Sequence, residues 1–198
     1  MRISKYNNYI ISNIYKKSGV FEMISIESFP NLQTFKFVID VGNVVYHIRN
    51  KKGKPMLSNY FKLYRYLLNE LYIESSNIIA ISDPSIRYCI DEKSRFKELL
   101  IKREIIQAPK KADFYILALA LRNKFVLIIS NDRFKEFVQE LPSIKWLTLK
   151  LVKFLIIYED VLLSPDITYQ EVLFMTNLSN ILKSRSYRKL PIVALDVN

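Results

Sequence analysis

The chain has 198 residues, a formal net charge of +11 and a pI near 9.6; half of its residues are hydrophobic and a quarter are charged. That balance suits one globular domain with extensions and argues against a disordered or fibrous chain. A single cysteine, Cys89, excludes a disulfide framework or a cysteine-built zinc site within one chain, and makes a reducing, cytoplasmic setting the simplest expectation.

No apolar run approaches the ~18–20 residues needed to cross a bilayer, so no membrane association is expected. Polar Asn7, Asn8, Ser12 and Asn13 interrupt the N-terminal stretch where a signal peptide would be continuous. Taken alone, the basic excess favours a polyanionic partner, either nucleic acid or an anionic membrane surface. Residues 1–34 carry four basic and two acidic groups, and residues 166–198 four and three. Most of the excess therefore lies in residues 35–165.

Residues 1–34 show no clean periodicity and read as an N-terminal extension, with one helix near Tyr9–Lys17 and Met23 as an alternative start. Phe35 to Asp40 is a short β-branched run bounded by Gly42, the pattern of a buried strand. A basic loop follows, Arg49-Asn50-Lys51-Lys52-Gly53-Lys54-Pro55, punctuated by Gly and Pro. Leu57–Leu71 has helical spacing at Phe61, Tyr64, Leu67, Leu68 and Leu71, with Ser58 as expected N-cap. A second strand spans Asn77–Asp83, and helical sequence runs from Pro84 through Leu100.

Ile105–Gln107 is a short third strand, ended by Pro109. Lys110, Lys111, Ala112 and Asp113 lead into an apolar helix over Phe114–Leu121. Phe125–Ser130 is the fourth strand, and Asp132–Val138 reads as another helix start. Beyond Trp146, Leu151–Tyr158 and Val161–Leu163 resemble an antiparallel hairpin. Residues 166–198 form a C-terminal extension with a helix over Tyr169–Lys183 and a basic end. Alternating strands and helices predict a mainly parallel α/β sheet covered on both faces.

Three of the strands run into an aspartate: Asp40, Asp83 and Asp132. In open parallel sheets the C-terminal edge of the strands is where ligands bind. Asp113, at the start of a helix returning to that edge, is expected to join Asp40 and Asp132. Three neighbouring carboxylates repel one another and would not all ionise unaided. A hard divalent cation with oxygen ligands, Mg²⁺ or Mn²⁺, relieves that repulsion and suits phosphate chemistry. Asn43 and Asn131 add neutral amides near the same edge. An aspartate after a strand is also commonly a helix cap or turn former. Lone His47 is expected to be structural.

The Asp40-x-x-Asn43-Val44 stretch, with His47 after it, resembles the opening motif of NYN domains of the PIN-like ribonuclease superfamily. Ser130-Asn131-Asp132-Arg133-Phe134 resembles the closing motif, and Ser82–Asp91 is similar to segments of prokaryotic members. The Regnase-type branch is the one most resembled, over residues 35–165. The resemblance implies a PIN-like three-layer α/β/α sandwich and metal-dependent RNA hydrolysis. It implies that Asp40, Asp113 and Asp132 hold the metal, that Glu136 supplies a further acid, and that Asn43 orients the site. Asp83 has no counterpart in every branch and is grouped with the substrate-binding residues.

Two departures stand out. Phe114 occupies the position where a second central acid is usual, and Val41 separates Asp40 from Gly42. A thinner acidic set implies weaker metal binding or a need for Mn²⁺. The zinc finger of the Regnase branch is absent.

The sequence thus leads to an endoribonuclease whose RNA backbone is gripped by Arg49, Lys51, Lys52, Lys54, Lys110, Lys111 and Arg133, with Asn131 beside them. Its alternative is an RNA-binding module of the same fold that lacks catalysis. The segment Ser143–Leu149 and the extensions are where a homo-oligomer would form its interface.

Overall fold

The computed structural model describes residues 34–164. The helices expected near Tyr9–Lys17 and over Tyr169–Lys183, and both extensions, lie outside the described residues. Six strands form one sheet in the order β3-β2-β1-β4-β5-β6. They are β1 (Lys36–Asp40), β2 (Ile78–Ser82), β3 (Ile106–Gln107), β4 (Val126–Ile129), β5 (Leu151–Ile157) and β6 (Asp160–Ser164). The first five are parallel to their neighbours, and β6 alone runs antiparallel, against β5.

Burial explains the sequence pattern. All four residues of β4, and the last four of β1, are buried. A central parallel strand covered on both faces has no use for alternation, so it reads as a continuous apolar run. Strand β5 does alternate, burying Val152, Phe154 and Ile156 while Lys153, Leu155 and Ile157 face outward. It marks the sheet's half-covered margin.

The crossovers carry six helices: α1 (Val41–Val45), α2 (Leu57–Asn69), α3 (Ile86–Cys89), α4 (Lys93–Ile101), α5 (Ala112–Arg122) and α6 (Ile144–Lys150). The chain steps from β1 to β2 to β3 in one direction, then returns and steps from β4 to β5 in the other. Right-handed crossovers, almost universal for parallel strands, therefore place α1–α4 on one face and α5 and α6 on the other. The result is an α/β/α sandwich. Its direction of winding reverses between β1 and β4, and in sheets of this kind the crevice for ligands opens at that reversal.

The helix boundaries correct several expectations. The inner face of α2 is Leu57, Tyr60, Leu63 and Leu67, with Phe61, Tyr64 and Leu71 only half-buried beside it. The helical stretch after Pro84 splits into α3 and α4, with extended Ile90 between them. The helix expected from Asp132 is a single 3-10 turn, Lys135–Phe137, entered through left-handed Phe134 (φ 46°). Helix α6 runs into β5 without an intervening loop, so no breaker announced it.

The cap of α2 is not Ser58. Asp91, 34 residues away, accepts a hydrogen bond from the Leu57 amide through Oδ1 (2.9 Å). The Ser58 hydroxyl is buried without a hydrogen-bond partner. Buried Asn59 donates through Nδ2 to the carbonyls of Val45 (3.2 Å) and Ile48 (2.8 Å), fastening the end of α1 to α2. Asp91→Ala is expected to cost about 1 kcal/mol of unfolding free energy, the usual loss of an N-cap. Ser58→Ala should be neutral or stabilising, because it removes an unpaired polar group. Urea unfolding of the two variants checks both.

Candidate active site

Asp40 closes β1 and opens α1. Its Oδ1 accepts from the Asn43 amide (3.0 Å), capping α1, and its Oδ2 accepts from the Ser130 hydroxyl (2.8 Å) at the end of β4. The Asn43 side-chain oxygen accepts in turn from the Asn131 amide (2.8 Å). The two strands flanking the reversal are thus tied by two side-chain bonds, and residues 40–43 and 130–132, far apart in sequence, are adjacent. Gly42 sits between carboxylates: a Cβ there would meet Asp40 Oδ1 and Asp83 Oδ2, each at 3.5 Å.

Asp83 follows β2 and accepts from the Ala112 amide (2.8 Å), holding the first turn of α5 to the same rim. That bond delivers Asp113 to the site. Asp40 is buried, and its pKa is pushed up to about 6, first by loss of solvent and also by the charges of Asp113 and Asp83. The bonds from Asn43 and Ser130 oppose that rise. Asp113 is half-buried and is likewise raised to about 6, by burial and then by the charges of Asp132, Asp83 and Glu136. Asp83 thus acts on both Asp40 and Asp113, and Asp132 on Asp113.

The remaining expected residues fall into distinct roles. Asp132 spends Oδ1 on the amides of Arg133 and Phe134 (3.0 Å to the latter), stabilising the tight turn, and its own amide donates to Ser130 Oγ (3.0 Å). Glu136 is ion-paired with Lys111 (2.9 Å), both side chains being exposed. The pair holds the Lys111 ammonium above its ordinary pKa, chiefly through that hydrogen bond. Asn131 corrects its expected role: its amide donates to the Phe154 carbonyl (2.9 Å) and accepts from the Phe154 amide (3.1 Å), so it clamps β4 to β5. His47 is structural. Its Nε2 accepts from the Ile156 amide (3.1 Å), and burial lowers its pKa.

Lys110 and Arg133 are exposed next to the acids in sequence, whereas the Arg49–Lys54 loop makes its contacts with Tyr46, Pro55 and itself. Sequence reasoning did not assign Ser130, the buried donor at the centre of the rim. Its only signal was a small hydroxyl residue directly after a fully buried strand.

The donor set is oxygen-only, which suits a hard cation. Among the described residues, no group of three or more His, Cys, Asp or Glu side chains is disposed to hold a metal by itself. The expected three-carboxylate cage is thus not preassembled. The reason is visible in the hydrogen bonds: both oxygens of Asp40 and one of Asp132 serve the fold. Mg²⁺ commonly uses only one or two carboxylates, completed by water and substrate phosphate, so the residues present fit that mode of binding.

No family model matches the chain, and no curated protein matches it. Among solved structures it is similar to nuclear proteinaceous RNase P 2 from A. thaliana, at 15% identity and a TM-score of 0.44. That match covers 81% of this chain and 35% of the other. No helix among the described residues is long and apolar enough to cross a membrane.

The raised carboxyl pKa values have a definite sign. In the metal-free chain Asp40 and Asp113 bind protons more tightly folded than unfolded. Their contribution to stability is therefore complete below the ordinary carboxylate value of 3.8 and is lost as pH rises through about 6. Asp113→Asn removes the repulsion without breaking a hydrogen bond to the described residues. It is expected to raise the melting temperature above pH 6 and to leave it nearly unchanged at pH 4. Melting curves in EDTA across this range check it.

Proposed function

We propose that the chain is a divalent-metal-dependent ribonuclease of PIN-like type that hydrolyses RNA phosphodiester bonds. The observation carrying this reading is the gathering of Asp40, Asp83 and the Asp113 turn at the winding reversal, in a chain whose overall charge is +11. A basic protein that concentrates acids in one crevice is suited to bringing a cation and a polyanion to the same place. That the residues resembling the opening and closing NYN motifs are bonded to each other supports the same reading.

Asp40, Asp113 and Asp132 would hold Mg²⁺ or Mn²⁺, with Asp83 and Glu136 as neighbouring acids. The ion supplies charge neutralisation and polarisation of water and phosphate. The protein's own groups do the positioning. Ser130 and Asn43 fix the Asp40 carboxylate from both sides. Asp83 fixes the start of α5 and so the place of Asp113. Lys110, Lys111 and Arg133, which flank these acids in sequence, supply backbone-binding charge. Lys111 would exchange Glu136 for phosphate when RNA arrives.

In an RNase assay with Mn²⁺, Asp40→Asn and Asp113→Asn should each lower the cleavage rate by at least ~100-fold, the scale of losing a group that stabilises the transition state. EDTA should abolish cleavage by the parent chain. Full activity in both variants would reject the assignment. A second reading, an RNA-binding module without catalysis, is favoured by Phe114 beside the central acid. Tight, salt-sensitive RNA binding without metal uptake or cleavage would select it.

A further inference from the structure

We infer that the surface running from Asp83 through α3 to the 49–55 loop is a track for single-stranded RNA, with Tyr88 as a base-stacking platform. The inference rests on the ribonuclease reading for its substrate and adds where the strand leaves the crevice. Helix α3 begins three residues after Asp83, and the Ile86 amide donates to the Asp83 carbonyl (3.3 Å). Tyr88 follows within one helical turn. It is 63% exposed.

Arg87 lies over the Tyr88 ring at 4.6 Å from its centroid and donates to its hydroxyl. A second pair adjoins it. The Tyr46 hydroxyl is in hydrogen-bond contact with Cys89 Sγ (3.2 Å), and the Arg49 guanidinium lies 4.8 Å from the Tyr46 ring centroid. Cys89 thus ties the Tyr46–Arg49 stack to the helix that carries the Tyr88–Arg87 stack. Aromatic faces interleaved with arginine are what unpaired bases bind, and they do so with little sequence preference.

The loop beyond Arg49 is held ready to grip phosphate. Asn50 Oδ1 accepts from the amides of Lys52 (2.9 Å) and Lys54 (3.1 Å), and Gly53 (φ +72°) makes the turn. The Asp91 amide donates to the Pro55 carbonyl (3.1 Å), fixing the loop to the α3–α4 junction. The acids nearby are committed. Asp91 caps α2, and Glu92 is ion-paired with Arg95 (3.3 Å). Among the described residues, Arg49, Lys51, Lys52, Lys54 and Arg87 have no carboxylate partner. The patch is positive, aromatic and contiguous with the acids, so a flexible polyanion with exposed bases fits it better than a duplex.

The test is fluorescence anisotropy of the full chain with a labelled single-stranded 12-mer RNA, in EDTA so that catalysis plays no part. Tyr88→Ala should weaken binding about 5- to 100-fold, and Tyr88→Phe should restore most of it. Replacing Lys51, Lys52 and Lys54 together by Ser should lower the salt slope of log K by about 2. Duplex RNA of the same sequence should not sense Tyr88→Ala. Unchanged single-strand affinity in Tyr88→Ala, or equal losses for single strand and duplex, would overturn the track. The ribonuclease reading would still be judged by the Asp40 and Asp113 variants.

Discussion

The structure depends on the way two parallel strands are tied together where the winding of the sheet reverses. Ser130 donates to Asp40, and Asn43 accepts from the Asn131 backbone. The backbone ladder pairs β1 with β4 up to Ile39 and Ile129, and those bonds carry the pairing into the turns beyond. With them, a buried carboxylate is held in an apolar setting and kept from turning away from its neighbours. The raised pKa of Asp40 follows from burial and neighbouring charge, which the fold enforces against the chain's local interest.

Each acid at the rim also serves the fold, and this blurs the line between cap and site. Asp40 caps α1, Asp83 receives the first turn of α5, and Asp132 stabilises the turn into Phe134. The bland reading of an aspartate after a strand is therefore correct for all three. It competes with the functional reading only in part, because each carboxylate oxygen has more than one lone pair. Both oxygens of Asp40 serve the fold, whereas the fold bonds of Asp83 and Asp132 use Oδ1 alone. Asp113 differs. It has no donor among the described residues, and the charges of Asp132, Asp83 and Glu136 act on it.

Much of this was legible in the sequence, for physical reasons. Central parallel strands must be apolar on both faces, so Phe37–Ile39 and Val126–Ile129 could be read as strands, and the aspartates after them as rim residues. The hairpin of β5 and β6 was legible because the edge of the sheet restores alternation. What escaped was non-local. The cap of α2 comes from Asp91, across 34 residues, while the nearer Ser58 goes unused. The committed amide of Asn131 and the central hydroxyl of Ser130 depend on partners in β5 and β1 that only the folded sheet brings near. Glu136 was read as a further metal-site acid from the family resemblance, which could not reveal that Lys111 meets it.

On the proposed reading, carboxylates crowded by the fold await a cation. An NMR titration of the side-chain carboxyl carbons of Asp40 and Asp113, with and without Mg²⁺, tests it directly. Both should titrate near pH 6 without metal, and saturating Mg²⁺ should move both midpoints below the ordinary carboxylate value. Ordinary midpoints near 4 in the metal-free chain, or midpoints that Mg²⁺ leaves in place, would contradict it.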